Sequence, residues 1–248
     1  MVFKSRSGGR DGSRSSDDAG LLRRGSNLLA EGKPEAAEKI FRAALEGFED
    51  SAVTHALLAM ALSDRNKNRQ ALGEAADAIA LNPRLALAHA ARACALEASG
   101  LPWDAEMECR QALALTPTDP NRHSDLAGVV ARAGRHAEAL EITARGLALN
   151  PQHVPSLRMR ALTLAWMDRA DEGQEVVAAA LLEAPVLARL HACLGVAFED
   201  RGDHLRAAEE FGQAAELDAS GQRDRNRLRR LNSSFSRLTP SMEKLFGR

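Results

Sequence analysis

His89, Cys94 and Cys109 lie within and just beyond the stretch HAARACALEASG, residues 89–100. Imidazoles and thiolates bind zinc and form Cys–His nucleophiles, so this spacing raises the question of a metal or covalent centre. The chain has seven histidines and three cysteines, Cys94, Cys109 and Cys193. No two cysteines form a C-x-x-C pair, so a reducing compartment without a disulfide framework is expected. There is no G-x-G-x-x-G, Walker loop, H-E-x-x-H or G-x-S-x-G. Adjacent acids such as Glu199–Asp200 and Glu209–Glu210 read as exposed helix faces. Whether the histidines and cysteines can meet depends on the elements that carry them.

Those elements are helices. Hydrophobic residues make up 45% of the 248, aromatics only 4%, and tyrosine is absent, which is unusual for a carbohydrate or aromatic-ligand binder. Alanine, leucine, arginine and glutamate dominate, and no long β-branched alternation competes with them. The net charge of −1 is unevenly spread: residues 1–17 carry +2, 222–248 carry +6, and 18–221 carry 21 bases against 30 acids. An acidic body argues against binding nucleic acid through it. No signal peptide or span of about 18 apolar residues is visible, so a cytoplasmic chain is expected. Residues 1–17, rich in Gly, Ser and Arg, are expected to form a disordered polar leader.

The body is periodic. Pro83, Pro117, Pro151 and Pro185 recur every 34 residues, and one frame holds six units: 18–51, 52–85, 86–119, 120–153, 154–187 and 188–221. Numbering each unit 1–34, column 8 reads Gly25, Ala59, Ala93, Ala127, Ala161 and Gly195. Column 20 reads Ala37, Ala71, Ala105, Ala139, Gly173 and Ala207, and column 27 Ala44, Ala78, Ala112, Gly146, Ala180 and Ala214. Column 11 is large and apolar: Leu28, Leu62, Leu96, Val130, Leu164 and Phe198. Small residues let two antiparallel helices approach closely while the large one fills the space between them. Gly32, Gly100, Gly134 and Gly202 at column 15 are placed to end the first helix in a left-handed cap, and Pro34 and Pro102 at column 17 to open the second.

This pattern resembles the tetratricopeptide repeat family, over 18–221. The first and sixth units match it best, with Phe41 and Phe211 at column 24. The fifth departs most, with Asp168 and Gly173 in place of glycine and alanine. The resemblance implies an all-α, right-handed superhelical solenoid of helix–turn–helix repeats with a concave binding groove. Residues 222–248, with Leu228, Leu231, Phe235 and Leu238 at helical spacing, are expected to form a basic amphipathic capping helix and tail.

The frame disperses the candidate chemistry. His55, His89, His123 and His191 share column 4, and successive repeats place them on the order of 10 Å apart, too far to share one ion. They are expected to pack, half buried and hydrogen-bonded, along the first helix. The cysteines fall in three different columns and read as structural. No metal, cofactor or catalytic residue is assigned, and the chain is expected not to be an enzyme.

Binding is assigned instead to the groove, which the family lines with columns 2, 5, 9, 12 and 13. The candidates are Met60, Asp64, Cys94, Glu97, Arg132, Arg158, Leu162, Trp166, Arg189, Glu199 and Asp200, among small residues such as Ala56, Ala90, Ser124, Gly128, Ala131 and Ala165. Trp166 is the large aromatic among them and the first hot-spot candidate, with gap filling in the irregular fifth repeat as its alternative. The acids sit at columns 12 and 13 and most of the arginines at columns 2 and 5, opposing the helix dipoles, which favours partner steering over helix stability. One subset of the family grips chaperone C-terminal carboxylates with Lys or Arg at column 5 and Asn at column 9, and no repeat here carries that pair. The expected role is a scaffold that binds a protein or peptide segment, centred on repeats 3–5. The rival readings are tethering to an anionic membrane or nucleic acid through the Arg-rich tail, and an accessory array of a glycosyl- or sulfotransferase.

Overall fold

The computed structural model describes residues 11–47, 51–179 and 184–217; the basic segment 222–248 lies outside them. Among the described residues there are twelve helices and no strand. The first-helix positions are α1 (Asp11–Ala30), α3 (Ala52–Asp64), α5 (Ala86–Ala98), α7 (Pro120–Arg132), α9 (Val154–Trp166) and α11 (Ala184–Asp200). The second-helix positions are α2 (Pro34–Gly47), α4 (Asn68–Leu81), α6 (Pro102–Leu115), α8 (His136–Leu149), α10 (Ala170–Ala178) and α12 (His204–Leu217). All six second helices start at column 17. The chain divides into two compact units, Met1–Pro117 and Thr118–Arg248. Within the first, each helix of α1–α6 packs on the next, and α3 also packs on α5. Within the second, α7–α12 do the same, with α9 also touching α7 and α11.

α1 begins at Asp11, inside the segment 1–17. A helix anchored by its packed part from Gly20 onward extends outward at one hydrogen bond per added residue.

Every turn from first to second helix is built alike. The column 16 amide donates to the column 11 carbonyl in all six, Lys33 to Leu28, Lys67 to Leu62, Leu101 to Leu96, Arg135 to Val130, Arg169 to Leu164 and Asp203 to Phe198, at 2.8–3.2 Å. That closure needs a left-handed residue at column 15. Gly32, Gly100, Gly134 and Gly202 supply it with φ of 71–79°. Asn66 (φ 57°) and Asp168 (φ 65°) hold the same position in the second and fifth repeats. They are among the few side chains that tolerate it. The column 11 side chain beneath each turn is buried in repeats 2–6.

The helix pairs meet where the side chains are smallest. Ala37, Ala71, Ala105, Ala139 and Ala207 at column 20 are fully buried. Columns 8 and 24 are coupled. Gly25 faces Phe41, whose ring occupies the space a Cβ would take, and a Cβ on Gly195 would lie 2.8 Å from Phe211 Cε1. Where column 8 is alanine, the described column 24 side chains are Ala75, Cys109 and Thr143, all buried. The glycine removed from one helix and the ring added on the other fill one volume.

A charged hub joins the first two repeats. The Glu38 side chain, 7% exposed, accepts from Arg42 Nε at 3.0 Å, Lys67 Nζ at 3.0 Å and Arg65 Nη1. Burial pushes its carboxyl up, but the bonds from Lys67, Arg42 and Arg65 outweigh burial and hold it at about 2, below its ordinary 4.5. A depressed folded value means stabilisation complete above pH 4.5 and lost as pH falls toward about 2. We expect the unfolding free energy to fall by about 1–3 kcal/mol across that window, after screening by the partly exposed partners. Glu38→Gln should remove that slope in denaturant melts at a series of pH values. Gly134→Ala, at φ 79°, should cost about 1–2 kcal/mol. Gly73→Ala, at a helical site with nothing within 4 Å of the added methyl, should instead stabilise by about 0.5–1 kcal/mol.

Candidate functional site

Packing between first helices decides which assigned groove residues stay available. At column 5, Ala56 and Ala90 are buried at 0% and 2% exposure. At column 12, Ala131 and Ala165 are buried at 1% and 0%. Ser124 and Gly128 are buried too. These small residues let neighbouring first helices pack closely and are covered by them. Half-buried or exposed positions remain at column 9 (Met60, Cys94, Leu162 and Val196), at column 12 (Glu97 and Glu199) and at column 13 (Asp64, Arg132, Trp166 and Asp200).

They fall on two faces, one per unit. The first carries Met60 and Asp64 on α3 beside Cys94 and Glu97 on α5. The second carries Arg132 on α7, Arg158, Leu162 and Trp166 on α9, and Glu199 and Asp200 on α11. Arg158 is exposed at the start of α9. Arg189 lies on α11, and its side chain is outside the described ones.

Trp166 is half buried, packed against the cluster of Ala161, Ala165, Leu190, Leu194 and Phe198. Its ring centroid lies 6.1 Å from that of His136 at an interplanar angle of 42°. Arg201 donates to the Ala165 carbonyl and to Asp168 just beyond it. The ring therefore has a fixed seat with one part left to solvent. Arg132 folds back over Gly128, where an added Cβ would lie 3.3 Å from its Nη2 and 3.2 Å from Met159 Cε. The absent side chain makes room for the guanidinium.

Asp64 differs electrostatically from its neighbours. It is the last residue of α3, next to the helix's negative end, and no hydrogen bond or ion pair to it exists among the described residues. Its surface is exposed, yet surrounding protein thins its hydration enough that desolvation raises its carboxyl above the ordinary carboxylate range.

The column 4 histidines have partners that column-wise reading missed. His55 Nδ1 lies 2.7 Å from Glu74 Oε2, His89 Nδ1 2.7 Å from Glu108 Oε2, and His191 Nδ1 2.8 Å from Glu210 Oε2. Each glutamate is at column 23, facing its histidine across the hairpin. Repeats 1 and 5 place Leu21 with Ile40 and Leu157 with Val176 at the same two columns. His123 faces Ile142 and turns its Nδ1 to the Asp119 carbonyl at 3.2 Å. Comparing columns 4 and 23 repeat by repeat is the signal that reveals the pairing. His153 Nδ1 meets Ser156 Oγ at 2.9 Å, and Ser156 is fully buried. Burial lowers the His153 pKa against the opposing Asp119 charge. In the second unit an open pocket of about 220 Å³ is lined by Leu147, Pro151, Leu157, Arg160 and Val176, and the buried Arg160 Nε has no partner.

No protein-family profile matches the chain, and no curated protein does. Solved structures do. A tetratricopeptide repeat protein from Parabacteroides merdae aligns with TM-score 0.62 at 16% identity, covering 86% of this chain and 84% of that one. The Cut9–Hcn1 hetero-tetramer of APC/C aligns with TM-score 0.61 at 14% identity, covering 86% of this chain and 42% of that one. Pseudomonas aeruginosa PilF aligns with TM-score 0.54 at 22% identity, covering 90% and 99%. The fold is that of stacked tetratricopeptide repeats. Among the described residues no helix is long and apolar enough to cross a membrane.

An unpaired, partly desolvated carboxylate opposes folding. Asp64→Asn should therefore stabilise the free protein at neutral pH, and the gain should vanish in acid, where Asp64 is itself protonated. Thermal melts at pH 7 and pH 3 check both halves.

Proposed function

We propose that this helical-repeat chain is a non-catalytic interaction scaffold that takes a protein or peptide segment on the open positions of its first helices. Asp64 carries the reading. A carboxylate left unpaired beside the half-exposed apolar side chains of Met60 and Cys94 costs the free protein stability, and a basic side chain supplied by a partner would offset that cost. On the second unit the seated, half-open Trp166 offers a rigid aromatic anchor, with Leu162 beside it and the charges of Arg132, Arg158, Glu199 and Asp200 around it. Apolar centres with charged surroundings suit an amphipathic helix or an extended segment.

The fold supports this as a class of function, since stacked helix pairs expose long rows of equivalent positions. The tail proposed as a membrane or nucleic-acid tether falls outside the described residues.

Affinity capture with wild type, Trp166→Glu and Asp64→Asn, each checked for folding by circular dichroism, tests the proposal. Partners held by the second face should drop at least about tenfold with Trp166→Glu. Partners held by the first should drop with Asp64→Asn even as that variant melts higher. Equal recovery of every partner by all three proteins refutes the proposal.

A further inference from the structure

We propose that His55, Glu74 and Asp77 form a binding site for a divalent transition-metal ion, of which zinc is the representative, bridging α3 and α4 of the second repeat. One ligand atom from each side chain lies within 4.8 Å of the others, and no other such trio occurs among the described residues. Glu74 and Asp77 are three residues apart on α4, so both project from one face of that helix toward His55 on α3.

The sibling repeats show why this locus differs. In repeat 3, Arg92 Nη1 lies 3.4 Å from Glu108 Oε1, and His89 spends its second ring nitrogen on the Pro83 carbonyl at 2.9 Å. In repeat 6, Gln174 Nε2 donates to Glu210 Oε1 at 2.6 Å. Column 26 is Gln111 and Gln213 in those two repeats, and Asp77 here. The histidine–glutamate pair of repeat 2 thus lacks the arginine or glutamine its siblings have and gains a second carboxylate. Among the described residues the Glu74 side chain has only His55, the His55 ring has only Glu74, and the Asp77 side chain has no hydrogen bond or ion pair. Column 7, which supplies Arg92 in repeat 3, is Leu58 here. Among the described residues no lysine or arginine forms an ion pair with either carboxylate.

An imidazole with two carboxylates suits zinc, nickel or cobalt, whereas calcium prefers oxygen ligands throughout. Zinc at about 2.1 Å from each ligand needs ligand atoms roughly 3–3.5 Å apart. The His55–Glu74 edge is already 2.7 Å, and the exposed Asp77 side chain can close the rest by a rotamer change. The ion would take the place of the hydrogen bond between His55 Nδ1 and Glu74 Oε2. Its remaining positions open to water, so the site is a surface clip across the hairpin.

Isothermal titration of the purified full chain with zinc chloride tests this. Wild type should bind one equivalent that Asp77→Asn weakens at least about tenfold. Asp77 is exposed and unbonded, so that variant should fold unchanged by circular dichroism. His89→Gln, the equivalent histidine of the next repeat, should leave the equivalent intact, and zinc should raise the melting temperature of wild type but not of Asp77→Asn. Zinc uptake that Asp77→Asn does not alter, or no uptake by wild type, overturns the proposal.

Discussion

The structure depends on how closely the two helices of each hairpin approach. That distance is set by side chains that are barely there: alanine or glycine at columns 8, 20 and 27. Interiors pack at crystal-like density, so a volume withheld on one helix must be supplied by the other. Repeats 1 and 6 supply it with a phenylalanine against a glycine; repeats 2–4 pair alanine with a smaller group. With the approach fixed, the turn over column 11 has one conformation available, and six left-handed residues adopt it.

The same close approach sets column 4 against column 23 in repeats 2, 3 and 6, with column 26 beside them in repeat 2 and column 7 in repeat 3, and the sequence fills these columns differently from repeat to repeat. Apolar pairs occupy columns 4 and 23 in repeats 1 and 5, histidine–glutamate pairs in 2, 3 and 6, and a histidine against an isoleucine in 4. Partly buried carboxylates there need partners. Arg92 and Gln174 meet that need for Glu108 and Glu210. A repeat is thus a fixed frame around an exchangeable polar or apolar insert.

The fold class is legible because period, small-residue columns and capping glycines all point to stacked helical hairpins. Asp168 looked like a departure from the pattern, and the structure shows it in the glycine's own conformation, since a short polar side chain tolerates positive φ. What the sequence hid lies across columns rather than down them. The pairing of His55 with Glu74 and of Gly195 with Phe211 is a matter of facing positions 19 and 16 residues apart. Burial of Ala56 and Ala90 also escaped it, because lateral packing of first helices covers column 5, which a single repeat leaves open. Trp103 and Met107, 75% and 70% exposed on α6, belong to no groove column.

The hub at Glu38 gives the N-terminal end a character of its own. Its three cations come partly from α2 itself (Arg42) and partly from the next repeat (Arg65 and Lys67). In an array whose cohesion is a sum of neighbour contacts, weakening one contact near an end releases that end alone. Acid therefore acts here on a latch: protonating Glu38 loosens one tie between the first hairpin and the second, and the apolar packing of Phe41 with Leu58 and Leu62 remains.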